Sequence, residues 1–286
     1  MHKLSFARIY ALASILGLGL LALSARVAAG PLPSVDPEIV SVLYAGSLVT
    51  PMEGPIKAAL LASGIDFQGE PGGSKALANL IAGGVRFPDV FVSVDPHLVT
   101  KLGGRVASAM TFAGTSLGVA WAPNSRYAAT FDAVADGKSS LQRALETPGI
   151  RIGRTDPQLD PKGEYTLQGV AMWLGSPGER RILGDDQNPS QIFPEQDLLA
   201  RVDTGQADVG FFYRTEAIAR GYRFIPLPGN AALTDRITYT LAIMNAPPHP
   251  KAARTFADFI LTGAGRTILE RAGLTYLHAP KVLMKS

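Results

Sequence analysis

Short β-branched runs that end at glycine or proline and pass at once into helical spacing recur along this chain, and this alternation restricts the fold more than any other feature. Ile39 to Tyr44 alternates as a buried strand does and stops at Ala45-Gly46-Ser47; from Leu48 to Ala62 the apolar residues fall at helical spacing. The unit repeats. Ile65 to Gly69 is strand-like, Pro71-Gly72-Gly73 is a turn, and Ser74 precedes a helical run from Lys75 to Ala82. Pro88 to Val94 supplies a third strand and Pro96 to Leu102 a short helix. Such alternation with short connections predicts parallel α/β sheets.

The middle of the chain resumes the pattern. Strands are expected at Gly118 to Trp121, Ile150 to Gly153, Ala207 to Tyr213 and Ile237 to Met244. Helices are expected at Ser140 to Glu146, Tyr165 to Leu174, Asp197 to Thr204, Thr215 to Arg220 and Pro250 to Ala272. No repeat at a period of about 20–50 residues interrupts this, which argues against solenoids and propellers.

With 286 residues, 47% of them hydrophobic and 18% charged, the chain can build one large or two medium domains, and disorder is excluded. The absence of cysteine removes disulfides, thiolate nucleophiles and iron–sulfur ligation. Residues 1–29 carry Lys3 and Arg8, then an apolar run from Ile9 to Leu23, then Val27-Ala28-Ala29, the order of a cleaved secretory signal peptide. Export to the periplasm is therefore expected. Losing Lys3, Arg8 and Arg26 leaves 24 basic against 24 acidic residues, so the mature chain carries no net formal charge. Without a basic field, nucleic acid and anionic membrane surfaces lose their main argument as partners.

Ser47 and Ser74 carry the clearest chemistry. Each follows a glycine where a strand gives way to a helix, where unpaired N–H groups and the helix dipole favour an anion and glycine lets it approach the backbone. Read alone, each serine serves equally well as the N-cap of its own helix. Two such junctions on adjacent parallel strands would converge on one crevice, the usual ligand position of open α/β sheets.

These segments resemble the periplasmic binding proteins of molybdate and tungstate ABC importers. Tyr44-Ala45-Gly46-Ser47-Leu48 resembles the family's first ligand loop, Glu70 to Ala78 its second, and Pro88 to Asp95 the strand that follows. Asp156-Pro157 through Asp160-Pro161-Lys162-Gly163-Glu164-Tyr165, and Asp197 through Tyr213, resemble the ligand segments of the family's second lobe. The resemblance implies an α/β chain with a two-lobed type II periplasmic-binding-protein fold: mostly parallel sheets, flanking helices and a two-strand hinge. Residues 30–116 and 241–286 would form lobe I and residues 117–240 lobe II, with crossings near Thr115 to Gly118 and Tyr239 to Ile243.

By the same resemblance the chain is a monomeric receptor for a tetrahedral oxyanion, molybdate or tungstate, delivered to a membrane permease, with no enzymatic activity, cofactor or resident metal. Ser47 and Ser74 would donate from the first lobe and Tyr213 its phenol from the second, with backbone N–H groups near Lys162 and Glu195 filling the remaining places. Asp160 aligns with one of two carboxylates that join the bound metal in some, mostly archaeal, members. The second would fall at Phe212, which cannot serve, so four-coordinate binding by neutral donors is expected. Asp160 also suits a turn or helix cap before Pro161, or an acceptor for a protonated oxyanion such as phosphate; sulfate differs mainly in size. Lys75, Lys162 and Arg214 lie close enough in the pattern to add positive charge.

An oxyanion sensor without a transporter fits the same residues. A serine hydrolase fits less well: the mature chain offers only His97, His249 and His278 as imidazole bases, and neither serine lies in a G-x-S-x-G elbow. No H-E-x-x-H or Walker A motif is present.

Overall fold

A computed structural model describes residues 37–285; the expected signal peptide lies outside the described residues. Two sheets organise the chain. The first has the order β11-β4-β10-β3-β1-β2, from β1 (Glu38–Ala45), β2 (Ile65–Gly72), β3 (Val90–Ser93), β4 (Val106–Gly114), β10 (Thr238–Met244) and β11 (Thr275–Lys285). The second has the order β7-β6-β8-β5-β9, from β5 (Leu117–Trp121), β6 (Ile152–Thr155), β7 (Ile192–Phe193), β8 (Val209–Tyr213) and β9 (Arg223–Pro226).

Strand direction corrects one expectation, since the sheets are mixed rather than mostly parallel. The predicted βα units are parallel, β1 with β2 and β3, and β6 with β7 and β8. Antiparallel pairing enters through β4, β5, β9, β10 and β11. The first passage between sheets is Thr115-Ser116, between β4 and β5. The return comes earlier than the predicted Tyr239 to Ile243, because β10 already belongs to the first sheet at Thr238. The two passages lie side by side, with Thr115 N–H donating to the Ile237 carbonyl at 3.1 Å.

Local chemistry explains most elements. The run after β1 begins as a 3-10 turn at Gly46–Leu48 and becomes helical to Ala62, widening to a π segment at Met52–Ile56, where Pro55 lacks an N–H. The Pro161–Leu183 helix outruns its predicted end because Gly175 (φ 70°) kinks it and a second helical stretch follows. The predicted Pro250 to Ala272 helix is two, Pro250–Leu261 and Ala264–Arg271.

β4 and β11 escape the sequence pattern. Val106–Gly114 is rich in Ala, Ser and Gly, a weak strand composition, and becomes a strand because β10 and β11 pair on either side of it. β11 carries Pro280, tolerated at the sheet edge where the register jumps between Tyr276 and Lys281. Trp121 is fully buried with its ring 5.2 Å from Phe131, while Trp173 is partly buried against the same core.

Candidate functional site

The loops after β1 and β2 in the first sheet meet the loops after β6 and β7 in the second, and all six sequence-predicted residues are buried. The approach is close. A Cβ on Gly46 would lie 2.4 Å from Glu195 Oε2, and one on Gly73 would lie 2.6 Å from the Leu159 carbonyl. Ala76 N–H donates to that same carbonyl at 3.2 Å. A cavity of about 350 Å³ opens onto Asp160 and Glu195, with Gly73, Leu77, Leu159 and Phe193 in its wall. A larger one, about 670 Å³, is bordered by Thr115, Arg214, Thr238 and Lys281 and touches none of the six, so size alone does not locate the site.

Neither serine caps its helix. The N-cap positions are Ala45 and Gly73, and no side-chain cap bond forms at either. Ser47 Oγ instead lies 2.9 Å from Tyr239 Oη, whose oxygen is 3.5 Å from Thr215 Oγ1, a chain of hydroxyls joining β10 to the Arg214–Arg220 helix. Ser74 Oγ accepts from Val94 N–H at 3.3 Å, which leaves its own proton for another acceptor. Tyr213 ends β8 fully buried, and its Oη has no protein partner. Burial, then the charge of Asp160, raises this phenol well above its usual value, so it is a neutral donor.

Asp160 caps the Pro161–Leu183 helix. Its Oδ1 accepts from Lys162 N–H at 3.1 Å, while Oδ2 is buried without a protein partner. The backbone N–H of Lys162 is thereby spent on the cap rather than offered to a ligand. Its side chain turns inward, fully buried, with Nζ 2.6 Å from Glu216 Oε1 and 3.6 Å from Glu195 Oε1. Nζ also lies 5.5 Å and 5.6 Å from the ring centroids of Phe212 and Tyr213. Burial alone would pull this ammonium down, but Glu216, Glu195 and Asp160 outweigh it and hold Lys162 charged.

Glu195 is the first residue of the Glu195–Asp203 helix. Its Oε2 is buried without a protein partner, and burial followed by the Asp160 charge pushes its carboxyl well above the usual range. Glu216 also accepts from Tyr213 N–H at 2.9 Å.

Sequence reasoning missed Glu216, Tyr239 and Thr215. The first carried a faint signal, an acidic residue in the first turn after Tyr213; the hydroxyls of the other two carried none. Lys75 reaches from the helix after β2 to the segment after β6, donating to the Pro157 carbonyl at 2.8 Å and pairing with Glu164. Arg214 is exposed, and its guanidinium reaches the Gly273 carbonyl at 3.4 Å. Ser47 and Ser74 are bonded to Tyr239 and Val94 rather than to imidazole, and His249 is engaged with Asp89 at 2.9 Å. Among the described residues no group of three His, Cys, Asp or Glu side chains is arranged to hold a metal ion, and no helix is long and apolar enough to cross a membrane.

Residues 40–275 match the family model of the bacterial extracellular solute-binding proteins. A putative ABC transporter molybdenum-binding protein of Haloferax volcanii is 32% identical over 196 residues, which is 68% of this chain and 62% of that protein's own length. The molybdate-binding protein ModA of Mycobacterium bovis is 30% identical over 211 residues, 70% of each chain. The solved periplasmic molybdate-binding protein of Azotobacter vinelandii superposes with a TM-score of 0.65 at 20% identity, covering 84% of this chain and 99% of that one, a likeness that carries the fold. Two mixed sheets joined by paired passages, with the buried donors between them, are the two-lobed type II periplasmic-binding-protein architecture, and this chain belongs to the bacterial extracellular solute-binding proteins.

Proposed function

We propose that this protein captures a tetrahedral oxyanion, molybdate or tungstate, between its two lobes in the periplasm and presents it, as a monomer, to the membrane permease of an ABC importer. In this reading residues 30–116 and the chain from Thr238 onward form the first lobe and the residues between them the second, the return falling a few positions before the expected boundary at 241. One observation carries it. Hydroxyls contributed by both sheets are buried with hydrogen-bonding capacity left over, Ser74 having a free proton and Tyr213 Oη having no protein partner. Ser47 adds a third hydroxyl, oriented by Tyr239.

Such donors suit an ion whose oxygens all accept. Each charge-assisted bond contributes roughly 1.5–3 kcal/mol net, and several together support sub-micromolar binding after association costs of about 4–15 kcal/mol. Contacts from both lobes favour the closed state, and the permease recognises that shape. Names of relatives support molybdate; Asp160 Oδ2, a buried acceptor, favours phosphate as a second reading because phosphate brings a proton. The test is the melting temperature of protein stripped of ligand by unfolding and refolding, measured with molybdate, tungstate, sulfate and phosphate. A ligand at about 100 times its Kd adds about 2.7 kcal/mol, a shift of several degrees. A shift with molybdate and tungstate only is expected; no shift with any anion overturns the reading.

A further inference from the structure

The charges inside the cleft do not balance. Glu195 is faced by Asp160 and Lys162 at the start of the Pro161–Leu183 helix, Glu216 on the Arg214–Arg220 helix, the phenol of Tyr213 on β8 and that of Tyr239 on β10. One ammonium serves three carboxylates. Lys162 gives its short bond to Glu216, which Tyr213 N–H also satisfies, and stands 3.6 Å from Glu195. Asp160 at least accepts a helix N–H, whereas Glu195 Oε2 sits against Gly46 with no protein donor. A dianion added between ionised Asp160 and ionised Glu195 would meet like charge at a buried site, where it is poorly screened.

Resting on the oxyanion reading above, we propose that Glu195 takes up one proton from solvent as the lobes close and donates it, as a hydrogen bond, to an oxygen of the captured dianion. Capture then consumes one anion and one proton together. In an opened cleft Glu195 is solvated and ionised at neutral pH; in the closed cleft it is buried, and the neutral acid is the favoured form. No covalent bond of the anion changes. The proton moves from water to Glu195 Oε2, converting an orphaned buried acceptor into a donor aimed where the first-lobe loop begins.

Calorimetric titration of the mature chain with molybdate, which stays a dianion between pH 5.5 and 8, tests this in two buffers of different ionisation enthalpy. The expected result is uptake of close to one proton per anion and an affinity that rises up to about tenfold per unit fall in pH. Glu195→Gln keeps an N–H donor, so its affinity should be near that of the parent at low pH with a flat profile and no proton uptake; unliganded melting checks that the variant folds. A flat profile in the parent chain, or a slope that survives in Glu195→Gln, overturns the proton proposal and leaves the oxyanion reading intact. A slope lost only in Asp160→Asn would place the proton on Asp160 and also overturn it. No binding of molybdate, tungstate, sulfate or phosphate by the parent at any pH removes the oxyanion reading and this inference with it.

Discussion

Gly46 and Glu195 come from different sheets, yet a single methyl group on Gly46 would stand 2.4 Å from the Glu195 carboxylate oxygen. A side chain there would have to displace the Glu195 carboxyl of the opposite lobe. Its own backbone conformation is ordinary, since it is not among the residues with positive φ. Gly46→Ala should therefore leave unliganded melting almost unchanged while holding the cleft ajar. The expected outcome is a loss of molybdate affinity of at least tenfold, read by titration; unchanged affinity would mean that the lobes do not close to this separation.

Removing single hydroxyls separates the donors. Tyr213→Phe deletes an oxygen that has no protein partner, so the unliganded protein should be no less stable, and oxyanion affinity should fall about 10- to 150-fold, the equivalent of roughly 1.5–3 kcal/mol. Ser74→Ala should lose a similar amount. Ser47→Ala also breaks the bond to Tyr239, adding about 1 kcal/mol of destabilisation visible in the unliganded melt.

Lys162 is a structural cation. Lys162→Met leaves Glu216 buried without its counter-charge, and unfolding free energy should drop by about 3–5 kcal/mol by denaturant titration at neutral pH. Acidification should partly restore the variant, because protonating that carboxyl removes the unpaired charge. A variant as stable as the parent at pH 7 would contradict this role.

The Lys75–Glu164 bridge spans the two lobes and is partly solvated. Exposed pairs are worth about 0.2–1 kcal/mol and weaken with salt, so Lys75→Ala should raise the oxyanion Kd less than tenfold, chiefly through faster release. Stopped-flow release at low and high ionic strength checks it: parent and variant should converge as salt rises.

Asp208 predicts the acid limb of stability. Burial disfavours its charge, but Arg151 and Arg126, bonded to it at 2.7–3.1 Å, more than compensate and hold the carboxyl at about 2. Because the folded value lies below the unfolded value near 4, its contribution is complete above about pH 4 and is lost as pH falls toward 2. Asp208→Asn should cost about 1–3 kcal/mol at pH 7, with the difference from the parent shrinking across that window. A difference independent of pH would rule the carboxylate out as its source.

The chain's local grammar was enough for the βα units around Ser47 and Ser74, for the second-sheet strand that ends at Tyr213, and for the turn that places Asp160 before Pro161. These signals work because strand alternation, helical spacing, glycine junctions and N-caps are encoded within a few neighbouring residues. β4 and β11 lacked such a code and exist because strands from elsewhere in the chain complete their hydrogen bonds. The same holds for the site. Ser47 reads as a cap in sequence and becomes a partner of Tyr239, 192 positions away; Lys162 reads as a cation that could add charge to the site and becomes the buried counter-ion of Glu216, 54 positions away. Sequence alone determined which oxygens and amides the chain brings to its strand ends. Only the tertiary structure decided which of them are already spent on one another and which stay free, because pairing among buried polar groups depends on three-dimensional distance and loss of water rather than on spacing along the chain.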